Sequence, residues 1–537
     1  MHDAFIQYIF LILIILGLVM LSQKLRISYP IVLVIGGLAL SFTNTFQDIS
    51  IDPELIFFIF LPPLLYEAAW QTSWKEFWKW RRVIMSFAFP IVIVTSCIVA
   101  VVSNALIPGF TLALGFLLGG IISPPDAISA TSIMKNVKVP KSMVSIIEGE
   151  SLLNDASSLV VFRFALAAVL TQQFVLAEAA VDFVLVIVMG TVTGLVVGAI
   201  FYAIHRWLPT TPSMDIVLSF VTPYCMYYAA EQFHFSGVLA VVSGGLLLSS
   251  QRQKMLTHLS RIQGANVWST VGFVLNGIIF LLIGLQLPGI VGELEGHSFQ
   301  RSLMYGLVIS TVLIVSRLLC TLGASVFTTF MSRFITTADP RPGWRGPVVL
   351  GWAGMRGVVS LAAALSIPVA LSNGAPFPHR NLILFITFVV ILMTLVLQGL
   401  TLPWVIRKVR LPDNHTLIPS PKQESIILKK LAHTSLSFIT EQYRDEAKQN
   451  AHLRNMVERL DLDATHFRHV YENDDAADSS VEAYHLISLE VIDRQRQLLN
   501  DMNKRSEFDE DIIRKYLALL DLEETKVRES LPAGTAK

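Results

Sequence analysis

Apolar residues run along the first three quarters of the chain in blocks about as long as a bilayer is thick, and polar residues collect between them. A transmembrane helix needs roughly 17–25 predominantly apolar residues. On that measure thirteen spans are expected, at approximately 5–22, 29–46, 53–70, 83–105, 112–134, 144–171, 178–204, 213–231, 235–250, 267–288, 301–330, 346–372 and 380–406. The eighth and ninth are short and separated only by "EQFHF". The opening segment "MHDAFIQYIFLILIILGLVMLSQKLR" reads as the first span rather than a secretory signal. It has no positive n-region and no small-residue cleavage site, and its apolar run is too long.

Basic residues sort the loops. Alternate loops hold Lys24 and Arg26; Lys75, Lys79, Arg81 and Arg82; Lys135, Lys138 and Lys141; Arg206; Arg252, Lys254 and Arg261; and Arg333, Arg341 and Arg345. The intervening loops hold only Arg301 and Arg380. Positive charge marks the cytoplasmic side, so the expected topology has the N-terminus outside and the C-terminus in the cytoplasm of a cell-membrane protein. Beyond "RKVRLPDNHTLIPSPKQES" the pattern changes to charged residues with apolar positions at helical spacing. The expected division is a transmembrane domain over 1–408 and a cytoplasmic helical tail over 409–537.

Composition agrees with this reading: 53% of residues are hydrophobic and 15% charged, against about 25% charged in a soluble domain. The 41 basic and 41 acidic residues cancel, so no charge excess points to nucleic acid, and no such partner is expected. Cys97, Cys225 and Cys320 are far apart and lack metal-ligand spacing, which reads as small buried hydrophobes. No cofactor is implied.

The candidate chemistry lies in the few polar residues inside apolar blocks. A charge at the bilayer centre costs roughly 2.5–3.5 kcal/mol on insertion scales, yet "EGESLLNDASS" puts Glu148, Glu150 and Asp155 in the sixth span. Helical spacing sets Ser151, Asp155 and Ser158 on one face, offering the hard oxygen ligands that a monovalent cation takes. Ser158 could equally hydrogen-bond between helices. In the fifth span, "SPPDA" places Pro124 and Pro125 where they break the helix. Asp126 then opens the second half, as ion ligand or as N-cap. In the twelfth, Gly351, Gly354 and Gly357 of "GWAGMRGVVSLA" weaken the helix around Arg356. Interrupted helices in matching positions of two halves point to a midplane binding site. Spans five and twelve match if spans one to six recur, inverted, as eight to thirteen. Buried Arg356 needs a carboxylate, with Glu150 the first choice and Asp126 the second. Glu67, after Pro62 and Pro63 in the third span, would line an access funnel or snorkel to the interface. Arg163 and Arg317 read as structural partners of carboxylates or carbonyls, and Asn276 as a hydrogen-bonding cross-link between helices.

The segments "GESLLNDA", "LPPLLYEAAW" and "GMRGVVSLA" together resemble the monovalent cation:proton antiporter-1 family, the sodium/proton exchangers that include NhaP-type members. The resemblance runs over roughly 1–408. It implies an all-α, polytopic fold of thirteen helices with inverted six-helix repeats and crossed discontinuous helices, a homodimer in lipid, and alternating access. It implies that Asp155 takes either a cation or a proton, and that Asn154 is the neutral neighbour associated with electroneutral exchange. It also implies that Ser151 and Glu67 help to ligate the ion and that Glu150 and Arg356 form an internal ion pair. One departure stands out: the family usually reads "TDPVA" where this chain reads "SPPDA", so Pro124 replaces its Asp and Asp126 comes two positions later.

The expected activity is therefore Na+/H+ antiport, not an enzymatic reaction. K+/H+ or Li+/H+ exchange on the same fold, and a passive cation channel, stand as alternatives. An intramembrane aspartyl protease using Asp126 and Asp155 lacks the sequence contexts such sites need.

Overall fold

A computed structural model of the chain describes residues 2–25, 27–43, 56–135, 137, 139–172, 176–292, 294, 298–334, 339, 342–371, 374–411, 420–472, 479–503 and 510–529. The expected span ends at 44–46 and 53–55 lie outside the described residues. The chain divides into two compact units, Met1–Pro412 and Asp413–Lys537.

Among its described residues the first unit is built of helices, with one isolated β-bridge between Ala370 and Pro376. Its helices are α1 (His2–Leu25), α2 (Tyr29–Ser41), α3 (Leu61–Gln71), α4 (Trp74–Ser86), α5 (Val92–Leu106), α6 (Leu112–Ile122), α7 (Ala127–Met134), α8 (Lys141–Thr171) and α9 (Leu176–Trp207). They continue with α10 (Pro212–Glu231), α11 (Gly237–Met255), α12 (His258–Leu285), α13 (Leu287–Gly292), α14 (Phe299–Met331), α15 (Arg345–Trp352), α16 (Val358–Leu365), α17 (Arg380–Met393) and α18 (Gly399–Val409). Three π-helical turns, Ile56–Phe60, Phe87–Ile91 and Thr394–Gln398, bend neighbouring helices without ending them.

Among the described residues, seven helical stretches are long and apolar enough to cross a membrane: Trp74–Leu106, Leu112–Met134, Lys141–Thr171, Val181–Trp207, His258–Gly292, Phe299–Met331 and Arg380–Val409. The other expected spans fall on helices that are shorter or less apolar. The twelfth stops at Leu365 rather than 372, because Pro368 disfavours helix just before it. Large apolar side chains face outward along α9, at Val181, Val184, Val188, Val192, Val196 and Ile200, as lipid requires of a surface that water would expel. The three cysteines are free and half-buried rather than buried, since each sits on a helix face that is only partly covered.

Polar ties cross this apolar interior at a few points. At the Pro90 π-turn the Ala88 carbonyl accepts from Ser157 Oγ of α8 at 2.5 Å. Arg163 of α8 grips Glu231 with bonds of 2.6 and 2.7 Å. His205 Nδ1 lies 2.8 Å from Asp215 Oδ1, and Ser260 donates to Asp215 Oδ2 at 2.7 Å.

The ion pair expected between Glu150 and Arg356 is corrected here. Glu150 pairs with Arg317 of α14, whose Nη2 lies 2.9 Å from Oε1 and donates to Oε2 at 3.0 Å. Arg356 is turned instead onto main-chain carbonyls, described below. Gly354 makes the pairing possible, because a Cβ there would strike the Arg317 side chain on its way to Glu150.

The second unit holds α19 (Ser420–Gln442), α20 (Arg444–Gln449), α21 (Ala451–Glu472), α22 (Ser479–Asn503) and α23 (Glu510–Glu529). α19 packs on α21, and α22 on α23. Arg496 bridges from α22 to Asp521, at 2.9 Å, and to Glu524. Bonds from Arg496 and Arg528 hold the Glu524 carboxyl below the usual carboxylate range.

Removing one member of a buried ion pair leaves the other uncompensated, at a cost of about 3–5 kcal/mol. Arg317→Met is therefore expected to lower the thermal unfolding temperature of the detergent-solubilised protein sharply, and adding Glu150→Leu to restore most of it. A harmless single substitution would refute the pairing.

Candidate functional site

The site is built where two helices are broken. α6 ends at Ile122 and α7 begins at Ala127, with "SPPD" between them; α15 ends at Trp352 and α16 begins at Val358. Helix ends leave main-chain donors and acceptors without intrahelical partners, and an apolar medium offers none. Here each break supplies the other. Asp126 N–H donates to the Met355 carbonyl at 2.7 Å, which ties the two crossing segments together. Gly357 allows that approach, since a Cβ on it would come within 2.7 Å of Asp126 Cβ.

Side chains complete the pairing. Arg356, 1% exposed, donates Nε to the Ile122 carbonyl and Nη1 to the Gly354 carbonyl, the acceptors released at the two breaks. Its own N–H donates to Thr394 Oγ1 at 3.1 Å. Pro124 and Pro125 have no N–H to satisfy. Asn154 Nδ2 donates to the Pro125 carbonyl at 3.0 Å, and Ser151 Oγ accepts from Ala127 N at 3.2 Å. Asp126 is the N-cap of α7: its carboxylate accepts from Ile128 N at 3.1 Å, and from Ser129 N at 3.2 Å and Ser129 Oγ at 2.8 Å.

Beside the crossing lies a cavity of about 480 Å³. Asp155, Asp126, Ser151, Glu67, Glu148 and Lys135 are among the residues lining it. It opens at the end of the bundle that carries exposed Lys135 and Gln71. Glu67 is fixed near the mouth, accepting from Gln71 Nε2 at 2.8 Å. Beyond Asp155, α8 carries Phe162 and Ala165, which pack with Leu118, Ile121, Ile122 and Ala363. Along α8 the cavity is lined by Glu148, Ser151, Leu152 and Asp155.

Asp155 stands apart from its neighbours. It is 7% exposed, lines the cavity, and its carboxylate receives no hydrogen bond among the described residues. A buried carboxylate without donors needs a counter-ion or a proton. The arrangement can therefore hold a hard cation or a proton at Asp155, with oxygens of Ser151 and Asp126 near at hand.

The sequence-predicted residues separate into two groups. Asp155, Asp126, Ser151 and Glu67 share the cavity, whereas Asn154 and Ser158 do not line it. Ser158 Oγ donates to the Asp155 carbonyl at 3.0 Å, the ordinary back-bond of a helical serine. Asn276 donates to the Gly272 carbonyl of its own helix at 2.8 Å, so it is not the cross-link expected. Tyr29, Glu148, Lys135, Ser360 and Asn276 line the cavity as well. Glu148, Lys135 and Asn276 stood out in the sequence, whereas Tyr29 and Ser360 gave only the faint signal of an isolated hydroxyl beside apolar residues. Arg317 is the structural partner of a carboxylate that the sequence suggested, and the acid it holds is Glu150.

Crossed, interrupted helices around an acidic cavity inside a lipid-facing bundle are the architecture of ion-coupled membrane transporters. A family model described as "Sodium/hydrogen exchanger, transmembrane" matches residues 10–408. The chain belongs to the sodium/hydrogen exchanger family. It is 34% identical over 389 residues to the "Sodium, potassium, lithium and rubidium/H(+) antiporter" of Bacillus pumilus, covering 70% of this chain and 57% of that protein. The chain thus spans little more than half the length of that relative. Against "Na(+)/H(+) antiporter ApNhaP" of Aphanothece halophytica it is 32% identical over 418 residues, 75% of each chain. The solved sodium proton antiporter MjNhaP1 of Methanocaldococcus jannaschii shares the fold, with a TM-score of 0.60 at 17% identity over 76% of this chain and 99% of that one.

If Asn154 serves the crossing by donating to Pro125, an acceptor in its place fails there. Asn154→Asp is expected to lose about 1–3 kcal/mol of stability, read as a fall in unfolding temperature. Unchanged stability would remove Asn154 from the scaffold.

Proposed function

We propose that the protein is a secondary antiporter that exchanges a monovalent cation, Na+ first, for H+ across the cell membrane. The observation that carries this reading is the undonated Asp155 carboxylate in the wall of a cavity that Asp126, Ser151 and Glu67 also line. Either a cation or a proton satisfies it, and the two exclude each other, which couples their fluxes without another energy source. When the bundle shifts, the apolar seal and the open cavity exchange sides of Asp155. The broken helices, locked to each other through Asp126 N–H and Met355 and through Arg356, move as one body and carry the occupied site.

The mouth beside Lys135 faces the cytoplasm, with the N-terminus outside and the C-terminal unit inside, following the distribution of basic loops. The chain crosses the membrane thirteen times, in two inverted six-helix repeats, and works as a homodimer. Asn154 engages the backbone and carries no charge, so exchange is one proton for one cation and electroneutral. Membrane voltage, worth about 2.3 kcal/mol per charge per 100 mV, then does not drive it. K+/H+ exchange is the second reading, favoured by the range of cations in the name of the Bacillus pumilus relative. The apolar cluster beyond Asp155 argues against a continuous channel.

Asp155→Asn is expected to abolish cation-dependent proton flux in proteoliposomes while leaving folding intact; exchange at the normal rate would remove the site. In the unaltered protein the cation concentration for half-maximal exchange should rise as pH falls, since protons take the same carboxylate. A pH-independent value would overturn competition.

A further inference from the structure

Hydroxyl groups in this bundle follow a habit. A helical serine or threonine returns its proton to a carbonyl three or four residues back, as Ser123 does to Gly119, Ser157 to Asn154, Ser158 to Asp155 and Ser366 to Ala363. Ser360 breaks the habit. It sits in the first turn of α16, and the residues three and four before it are Gly357 and Arg356, inside the helix break. Neither carbonyl accepts its hydroxyl, a state it shares with the buried hydroxyls of Ser302 and Thr387, which do not line the cavity. Ser360 is 2% exposed, its Oγ has no hydrogen-bond partner among the described residues, and it lines the cavity with Asp155. On α12, a helix that packs against α16, Asn276 lines the same cavity and repeats the case. Its amide nitrogen is used by the Gly272 carbonyl, while its Oδ1 is buried and unpartnered. A buried polar atom left unpaired costs about 1–3 kcal/mol. Two of them on neighbouring helices lining one acidic cavity are expensive unless something in the transport cycle uses them.

We propose that Ser360 Oγ and Asn276 Oδ1 complete the oxygen shell of the cation held at Asp155. Both are uncharged, hard oxygen donors of the kind an alkali cation takes. They come from two different helices, so a cation bound between them draws the wall bearing α12 toward the broken helix. A proton on Asp155 needs neither oxygen. The two groups therefore discriminate cation from proton and set affinity and selectivity, rather than carrying the exchanged proton.

The inference rests on the antiport reading, and the experiment separates the two. Exchange in proteoliposomes would be measured against Na+, Li+ and K+ for Ser360→Ala, Ser360→Thr, Asn276→Leu and Asp155→Asn. Cation-induced thermal stabilisation of each purified protein would be measured alongside. Ser360→Ala is expected to raise the KM for Na+ roughly tenfold, to keep the maximal rate, and to change the ratio of Na+ to K+ affinity. In cation-free buffer it should unfold no earlier than the unaltered protein, because an unpaired buried hydroxyl has been removed, while its gain in stability from added Na+ shrinks. Ser360→Thr, which keeps the hydroxyl, should restore the KM. Asn276→Leu should raise the KM in the same way. An unchanged KM with an unchanged Na+-dependent stabilisation in Ser360→Ala would overturn the inference, as would a fall in maximal rate alone. Should Ser360→Ala fail to accumulate, Ser360→Gly carries the same test. Continued exchange by Asp155→Asn would instead overturn the parent reading, whatever Ser360 does.

Discussion

The structure depends on one constraint: two helices are interrupted in a medium that offers no hydrogen bonds. Each break releases main-chain groups that cost several kcal/mol if left bare in hydrocarbon. The fold answers by crossing the breaks. Met355 accepts from Asp126, Arg356 spans the carbonyls of Ile122 and Gly354, and Asn154 and Ser151 reach over from α8 to Pro125 and Ala127. Arg356 is thus satisfied by backbone dipoles rather than by a carboxylate. That leaves Glu150 to Arg317, and the two positive groups near the crossing do not compete for one acid.

This allocation gives Asp155 its character. Three of the polar residues clustered with it in sequence, Ser151, Asn154 and Ser158, each have a backbone partner. They hold the scaffold rigid, and a rigid scaffold keeps the remaining carboxylate from finding a donor by a small shift. Pre-organisation here means withholding partners. Glu148, Ser151 and Asp155 of α8 line the cavity, and further along the helix Phe162 packs with Ile122 among apolar side chains. One-sided access is a requirement of coupled exchange, because an acid reachable from both sides at once would leak.

Much of this was legible in the chain itself. Proline pairs and glycines marked the breaks, because their effect on a helix is local and needs no partner. The acidic face of "EGESLLNDASS" was legible for the same reason: helical spacing decides which residues share a side. Partner choice was not legible. Glu150 and Arg317 are separated by 167 positions, and nothing in a linear pattern ranks Arg317 above Arg356. That ranking follows from where orphan carbonyls lie, which is known only once the helices cross. Ser158 shows a smaller failure of the same kind. It lies on the correct face by spacing, but its hydroxyl is consumed by its own helix.

The displaced aspartate of "SPPDA" shows how geometry absorbs a change of sequence. Placed directly after two prolines, Asp126 falls at the N-cap of α7, where both carboxylate oxygens meet main-chain N–H groups and the helix dipole favours its charge. Those bonds hold the carboxylate in place while it still lines the cavity. A carboxyl group therefore still lines the cavity even though the position preceding the proline no longer supplies one. The two cavity acids are then unequal by construction. Asp126 has three donors and is anchored as a fixed part of the wall; Asp155 has none among the described residues and is left to whatever the solution offers.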